Sequence, residues 1–218
     1  DENGPQALTA ALAGGASAMC YTSEDVRAAT FNVDLIHDVG RCIGEDCLAM
    51  GYSGLYGPGI NMHRTAYSGR NFEYYASDPF VAGTICAAEV NGIQSKGVYV
   101  YLKHVALNDS ESSRRGVNTW LNEQTAREIY LEVADKAITD GGAWSVMTGF
   151  NRWGATWCGA NANLLTGFLR GELGMRGMCI TDFSGSSQYM DLVDGLIAGS
   201  DIWDSPMPKI HTTKAANY

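Results

Sequence analysis

Short apolar runs alternate along this chain with longer amphipathic stretches, and no other feature narrows its fold so far. Apolar runs bounded by Gly, Pro or Asn occur at residues 55–57, 98–102, 144–147, 178–181 and 196–202, with a weaker one at 18–21. Runs of this length and setting read as buried strands. Residues 32–50 place Leu35, Ile36, Val39, Ile43, Cys47 and Leu48 at helical spacing, and Gly51 follows as a stop. Residues 79–96 repeat the design and end at Gly97. Residues 122–139 end before Gly141 and Gly142, and residues 163–173 are closed by Gly174. Strand–helix alternation of this kind specifies an α/β fold whose parallel sheet is joined by right-handed crossovers.

Two architectures satisfy that pattern: an open doubly wound sheet and a (β/α) barrel. No Gly-x-Gly-x-x-Gly turn follows the first strand, which weakens the dinucleotide-binding version of the open sheet. In a barrel the chemistry gathers at the C-terminal ends of the strands. After 55–57 come His63, Arg64, Arg70 and Glu73; after 98–102 come Lys103 and His104; after 144–147 come Thr148 and Asn151; after 178–181 comes Asp182. Polar and charged groups therefore collect at one end of the expected strands, which independent loops have no reason to do. The last residues, 209–218, show no periodicity and read as a tail after a domain spanning 1–208.

The 218 residues carry a formal net charge of −9, which disfavours nucleic acid and anionic membrane surfaces as partners. No apolar run approaches the ~20 residues needed to span a bilayer, and no basic-then-apolar leader is present, so the expectation is a soluble chain of unassigned compartment. It begins at Asp1, as a processed chain or a fragment would. Cys20, Cys42, Cys47, Cys86, Cys158 and Cys179 form no Cys-x-x-Cys pair and sit beside no pair of His residues at zinc spacing. They read as reduced, buried thiols packed as small hydrophobes. Nothing in the pattern implies a metal or cofactor.

Five segments carry a more specific message. Residues 69–79 read Gly-Arg-Asn-Phe-Glu-Tyr-Tyr-Ala-Ser-Asp-Pro, and 103–109 read Lys-His-Val-Ala-Leu-Asn-Asp. Residues 145–151 read Ser-Val-Met-Thr-Gly-Phe-Asn, 164–174 read Leu-Leu-Thr-Gly-Phe-Leu-Arg-Gly-Glu-Leu-Gly, and 177–183 read Gly-Met-Cys-Ile-Thr-Asp-Phe. In this order they resemble the catalytic barrel of family 3 glycoside hydrolases, in the manner of bacterial β-glucosidases. The likeness runs from about residue 3 to residue 203.

The resemblance implies a TIM-like (β/α) barrel, apparently incomplete, and retaining hydrolysis of a small β-glycoside. Asp182 stands where the family keeps its nucleophile. Asn3, Arg70, Lys103 and His104 would bind sugar, with Met147 and Phe150 lining the pocket. Retention requires a second carboxyl group ~5–5.5 Å from the nucleophile to protonate the leaving oxygen. The second α/β domain that supplies this acid in β-glucosidase-like members is not in this chain, and Glu111 is the nearest local carboxylate able to substitute. Three departures stand out: Asn3 replaces the family's sugar-gripping Asp, Phe150 replaces a frequent Tyr, and the chain starts after the expected first barrel strand.

Rival roles exist for several of these residues. Asp182 could cap a following helix. Lys103 could pair with Asp182 or Asp109, and His104 could be a satisfied core histidine. His63 and Arg64 could hold their own loop, and His37 reads as a surface residue. Trp153 and Trp157 could form a stacking platform for a second sugar. The rival to hydrolysis is a sugar-binding or truncated remnant that lacks its own acid. Open sheet edges left by missing strands would pair with another copy or a complementing chain.

Overall fold

A computed structural model describes residues 20–184 and 189–205. Asn3, His211, residues 18–19 of the weaker strand candidate and the expected tail lie outside the described residues. Two helices open the described chain, α1 (Glu24–Ala28) and α2 (Val33–Ala49), followed by strand β1 (Gly54–Gly59), helix α3 (Pro79–Gln94) and strand β2 (Tyr99–Val105). A short strand β3 (Asn118–Thr119) precedes a helical stretch made of α4 (Glu123–Thr125), a π-helical turn (Ala126–Tyr130) and α5 (Glu132–Thr139). Strand β4 (Ser145–Thr148), a hairpin of β5 (Arg152–Trp153) and β6 (Thr156–Trp157), a π-helix (Asn163–Glu172), strand β7 (Cys179–Thr181) and helix α6 (Leu192–Ala198) complete the order.

Strands β1, β2, β4 and β7 form one parallel sheet in that order, and β3, β5 and β6 form a small second sheet. Alternation sorts the large sheet into two faces. Leu55, Val100, Leu102, Val146 and Cys179 join Ile36, Ile43, Val90, Ile93 and Leu165 in the main core under the helices. Tyr101, Met147 and Ile180 form a separate cluster on the opposite face with Tyr99, Met178 and Ile202 against them. Each fully buried Ile or Leu contributes about 1.5–3 kcal/mol, so the helical face dominates the stability.

The helices begin and stop as local chemistry dictates. Asn32 accepts from the Leu35 amide at 3.0 Å to cap α2, and Asp78 accepts from Val81 at 2.8 Å to cap α3 ahead of Pro79. Gly51 and Gly97 take left-handed φ of 78° and 85° just past the ends. Helices α2 and α3 lie close because Gly40 and Gly92 face each other across the contact. A Cβ on Gly40 would stand 2.3 Å from the Glu89 carbonyl oxygen, and one on Gly92 would stand 2.2 Å from that of His37. Beneath this contact Arg27 of α1 is buried with Glu89 of α3 at 2.5 Å, and the Tyr75 hydroxyl donates to the other Glu89 oxygen at 2.9 Å. Glu24 accepts the Gly59 amide at 3.0 Å, which ties α1 to the end of β1.

Two expectations are corrected. Residues 196–202 are not a strand. Asp191 caps α6 through the amides of Val193 and Asp194, Leu192, Gly195 and Ala198 turn inward at helical spacing, and Gly199 ends the helix at φ 108°. Only Ile202 then bridges to Ile180. An apolar run this short fits either period, and the Asp191 cap decides it. Likewise Cys20 and Cys42 are exposed, while Cys47, Cys86, Cys158 and Cys179 are buried. Cys42 falls on the outward side of α2, whose inward stripe is Ile36, Gly40, Ile43, Gly44 and Cys47.

Gly40→Ala is expected to destabilise the chain by about 1–3 kcal/mol in urea unfolding, since the added methyl meets backbone that cannot turn aside. Gly116→Ala, whose Cβ would lie 3.7 Å from its nearest neighbour, should stay within about 0.5 kcal/mol of the parent.

Candidate active site

The C-terminal ends of β1, β2, β4 and β7 bring Asn61, Lys103, His104 and Asp182 together with Arg70 from the loop after β1. Strand β2 makes this possible through a register shift between Lys103 and Val105 against β4. Strict alternation would send Lys103 and His104 to opposite faces. With the irregularity, both are buried at the same strand end. The Lys103–His104 and Val105–Ala106 peptides are cis. Asn61 holds the bulged segment from the neighbouring strand end: its side chain donates to the His104 carbonyl at 3.0 Å and accepts the His104 amide at 2.9 Å.

Arg70 sits one residue before a short 3₁₀ turn (Asn71–Glu73), which brings the Glu73 carboxylate back onto the guanidinium. Glu73 is buried, and its other oxygen lies 3.9 Å from Lys103 Nζ. Arg70 also approaches Glu111 at 3.8 Å, and Glu111 is held by Arg114 at 2.6 Å and Asn108 at 3.0 Å. Arg70, Lys103 and Arg114 thus face Glu73, Glu111 and Asp182, three cations to three carboxylates. The balance lets so many charges share one end of a sheet.

His104 is buried, and desolvation holds its imidazole well below the usual range, with Arg70, Lys103 and Arg114 adding to the effect. It is therefore neutral. Arg70 Nη1 lies 3.2 Å from His104 Nε2, and a guanidinium can only donate, so Nε2 is the acceptor and Nδ1 carries the proton. Nδ1 faces Asn61 Oδ1 at 3.4 Å and the Tyr74 hydroxyl at 3.3 Å. In that tautomer His104 offers no proton to Asp182 Oδ2, 3.4 Å from Nε2. The approach is a contact, not an ion pair.

Asp182 extends from the end of β7, where its amide donates to the Thr148 carbonyl at 3.1 Å. Oδ1 accepts the Phe183 amide at 2.7 Å. Oδ2 is buried and makes no hydrogen bond within the described residues. Burial pushes the carboxyl above the usual carboxylate range, and the Phe183 amide, Arg70, Arg114 and Lys103 pull it back in part. Among the described residues Asp182 caps no helix: α6 starts ten residues on and has Asp191 as its cap. A carboxylate oxygen that is desolvated, anchored through its twin and surrounded by cations is suited to attack an electron-poor carbon.

The remaining candidates divide. Phe150 is buried beneath two guanidiniums, Arg114 at 4.2 Å and Arg115 at 5.3 Å from its ring centre. Met147 packs with Tyr101 and Ile180 on the face opposite the helices. His63 Nε2 lies 2.8 Å from the Asn71 carbonyl and 2.7 Å from that of Tyr74, and Arg64 stacks over Tyr130, so both hold their own surroundings. His37 is partly exposed on α2. Trp153 and Trp157 do not form one platform: Trp157 is buried against Tyr189 and donates to the Gly149 carbonyl at 3.0 Å. Asp109 accepts the Met62 amide at 2.5 Å, and burial lifts it to about 6. Sequence reasoning placed Glu73 at a strand end without giving it a role, and overlooked Asn61 and Arg114. Glu73 and Arg114 each had a local signal, a three-residue spacing from Arg70 and from Glu111, and Asn61 had none.

Residues 17–202 match the family model described as the glycosyl hydrolase family 3 N terminal domain. The thermostable beta-glucosidase B of Acetivibrio thermocellus is 37% identical over 194 residues, covering 89% of this chain and 25% of that protein. An exo-alpha-(1->6)-L-arabinopyranosidase of Bifidobacterium breve is 34% identical and covers 83% of this chain and 25% of its own. Beta-glucosidase 3B of Thermotoga neapolitana, solved with alpha-D-glucose, superposes with a TM-score of 0.80 at 35% identity over 84% of this chain and 25% of that one. The GH3 beta-glucosidase of Bifidobacterium adolescentis gives 0.84 at 32% identity over 90% and 29%. The chain thus spans about a quarter of the length of these relatives. Among the described residues no helix is long and apolar enough to cross a membrane.

A carboxyl group whose folded pKa is raised favours the fold most when protonated. Its contribution is complete below the unfolded value of about 3.9 and is lost as pH rises through the folded value. Asp182→Asn mimics the neutral form at every pH. It is expected to raise the melting temperature at pH 7, with the gain vanishing below about pH 4; a variant that melts at or below the parent at pH 7 would contradict this account of Asp182.

Proposed function

The chain belongs to glycosyl hydrolase family 3, and we propose that it carries the nucleophile half of a retaining β-glycosidase, with Asp182 attacking the anomeric carbon of a β-glucoside or related small β-glycoside. The observation that supports this reading most is the buried Oδ2 of Asp182, without a hydrogen-bond partner among the described residues, at a strand end with Arg70, Lys103 and His104 around it. The relatives are named as glycosidases, and neighbouring structures were solved with glucose, which agrees with a small sugar in this site.

In this reading Arg70 and Lys103 donate to sugar hydroxyls, and Glu73 keeps both cations in place before substrate arrives. His104 Nδ1 stays turned to Asn61 and Tyr74. Phe150 and Met147 bound the pocket. Oδ1 of Asp182 stays on the Phe183 amide while Oδ2 forms the bond to carbon. The ring-oxygen lone pair stabilises the positive charge that develops at the anomeric carbon, and the leaving oxygen departs with the bonding electrons and takes a proton from an acid. Glu111 is the carboxyl we assign to that proton transfer within this chain, and it would have to release Arg114 or Asn108 to perform it. That engagement favours a second reading, in which the chain binds glycosides and cleaves only those with good leaving groups. An edge of the parallel sheet that pairs with another copy or chain belongs to the same proposal.

Incubation with a 2-fluoro-β-glucosyl fluoride should leave one covalent glycosyl group in the intact mass, absent from Asp182→Ala, whose turnover of nitrophenyl glucoside should fall by about 10³-fold or more. Folded parent protein that stays unlabelled would exclude Asp182 as a nucleophile. If Glu111 is the acid, Glu111→Gln should slow cellobiose cleavage by about 10²–10⁴-fold and spare nitrophenyl glucoside; equal effects on both substrates would place Glu111 with the positioning groups instead.

A further inference from the structure

A cavity of about 760 Å³ opens between the helical stretch around Arg127, the π-helix Asn163–Glu172 and the small sheet. None of Asp182, Arg70, Lys103 or His104 lines it. Its size falls within the ~300–1,000 Å³ usual for small-ligand sites. The hairpin separates it from the Asp182 cluster by alternation. Arg152 turns toward Tyr189, 4.6 Å from that ring, while the next residue, Trp153, lines the cavity.

Three features suit a ligand. Trp120, 77% exposed, stands at the cavity edge, and its ring lies against Gly154, where an added Cβ would be 3.4 Å from the indole. With Trp153 it supplies apolar aromatic faces on which pyranose CH groups can stack. Arg127 donates to Glu123 at 2.9 Å and to both oxygens of Glu172 at 2.7 and 3.0 Å, so the guanidinium is satisfied while its two carboxylates keep lone pairs for hydroxyl donors. Both π-helical segments, Ala126–Tyr130 and Asn163–Glu172, border the same space. Such segments concentrate at functional sites. Two carboxylates against one guanidinium disfavour an anion, and Asn161 and Asn163 add amide donors and acceptors.

We propose that this cavity is a second saccharide-binding site, for a neutral oligosaccharide, independent of Asp182 and of any hydrolysis there. Trp120 is the platform, and the Glu123–Arg127–Glu172 group receives the hydroxyls.

The test is calorimetric titration of cellotetraose into the full chain carrying Asp182→Asn, which removes turnover, with and without Trp120→Ala or Trp120→Phe. Trp120→Ala should weaken binding about tenfold, Trp120→Phe less, since a ring is retained. Trp120→Ala alone should leave the melting temperature and nitrophenyl glucoside turnover unchanged. Undiminished affinity in folded Trp120→Ala protein would overturn the proposal, as would no cellotetraose binding at all. So would a shift from dimer to monomer in sedimentation without loss of saccharide affinity, which would make Trp120 a contact between copies. Because binding and turnover are read separately, failure of this site leaves the reading of Asp182 untouched.

Discussion

The pairing of buried Glu73 with Arg70 and Lys103 decides the character of the site. A buried cation without a partner is far too costly to keep, so these two cations need an anion other than Asp182 if that carboxylate is to stay unengaged. Glu73 fills that role from a 3₁₀ turn, and Glu111 does the same for Arg114. Asp182 is thereby left with one oxygen on a backbone amide and the other without a hydrogen bond among the described residues. Burial pushes its pKa upward, the direction expected of a desolvated carboxylate. Sites built for reaction often carry such a cost, and the surrounding fold offsets it.

The fold supplies the offset on its other face. A parallel sheet covered by helices buries one row of each strand deeply, and here Val100, Leu102, Val146 and Cys179 sit in a core with α2, α3 and the π-helix. Gly40 and Gly92 let α2 and α3 approach until backbone meets backbone. The Arg27–Glu89–Tyr75 group locks α1 against that pair, and Glu24 reaches the end of β1. Strand ends held this firmly can present Lys103 and His104 from one irregular stretch of β2 without losing register elsewhere.

Kinship narrows the chemistry more than the substrate. Relatives of similar identity are named as β-glucosidases and as an arabinopyranosidase, so membership alone does not select the sugar. The cations at the strand ends, Arg70 and Lys103, are already neutralised by Glu73, which suits neutral hydroxyls better than a charged ligand. That also accords with a strongly acidic chain surrounding a locally balanced site.

Much of the frame was legible in the sequence. The helices over 33–49 and 79–94 follow from apolar spacing, the caps Asn32 and Asp78, and the glycines at 51 and 97. The four parallel strands follow from short apolar runs, and Arg70, Lys103, His104 and Asp182 followed from motif order. Each of these signals is local, because caps, stops and periodicity act within a few residues. Where local signals were balanced, tertiary structure decided. Residues 192–198 became a helix because Asp191 capped them and the core received Leu192 and Ala198. Trp153 and Trp157 parted because a hairpin turned one into a cavity and the other into the core. The roles of Glu73, Asn61 and Arg114 rest on contacts between segments three to forty-three residues apart. The sequence by itself determined the main helices, the four parallel strands and the residues that stand at their ends. Only packing decided which charges neutralise one another and which carboxylate oxygen has no hydrogen bond among the described residues, because electrostatic pairing in a buried site depends on tertiary distances.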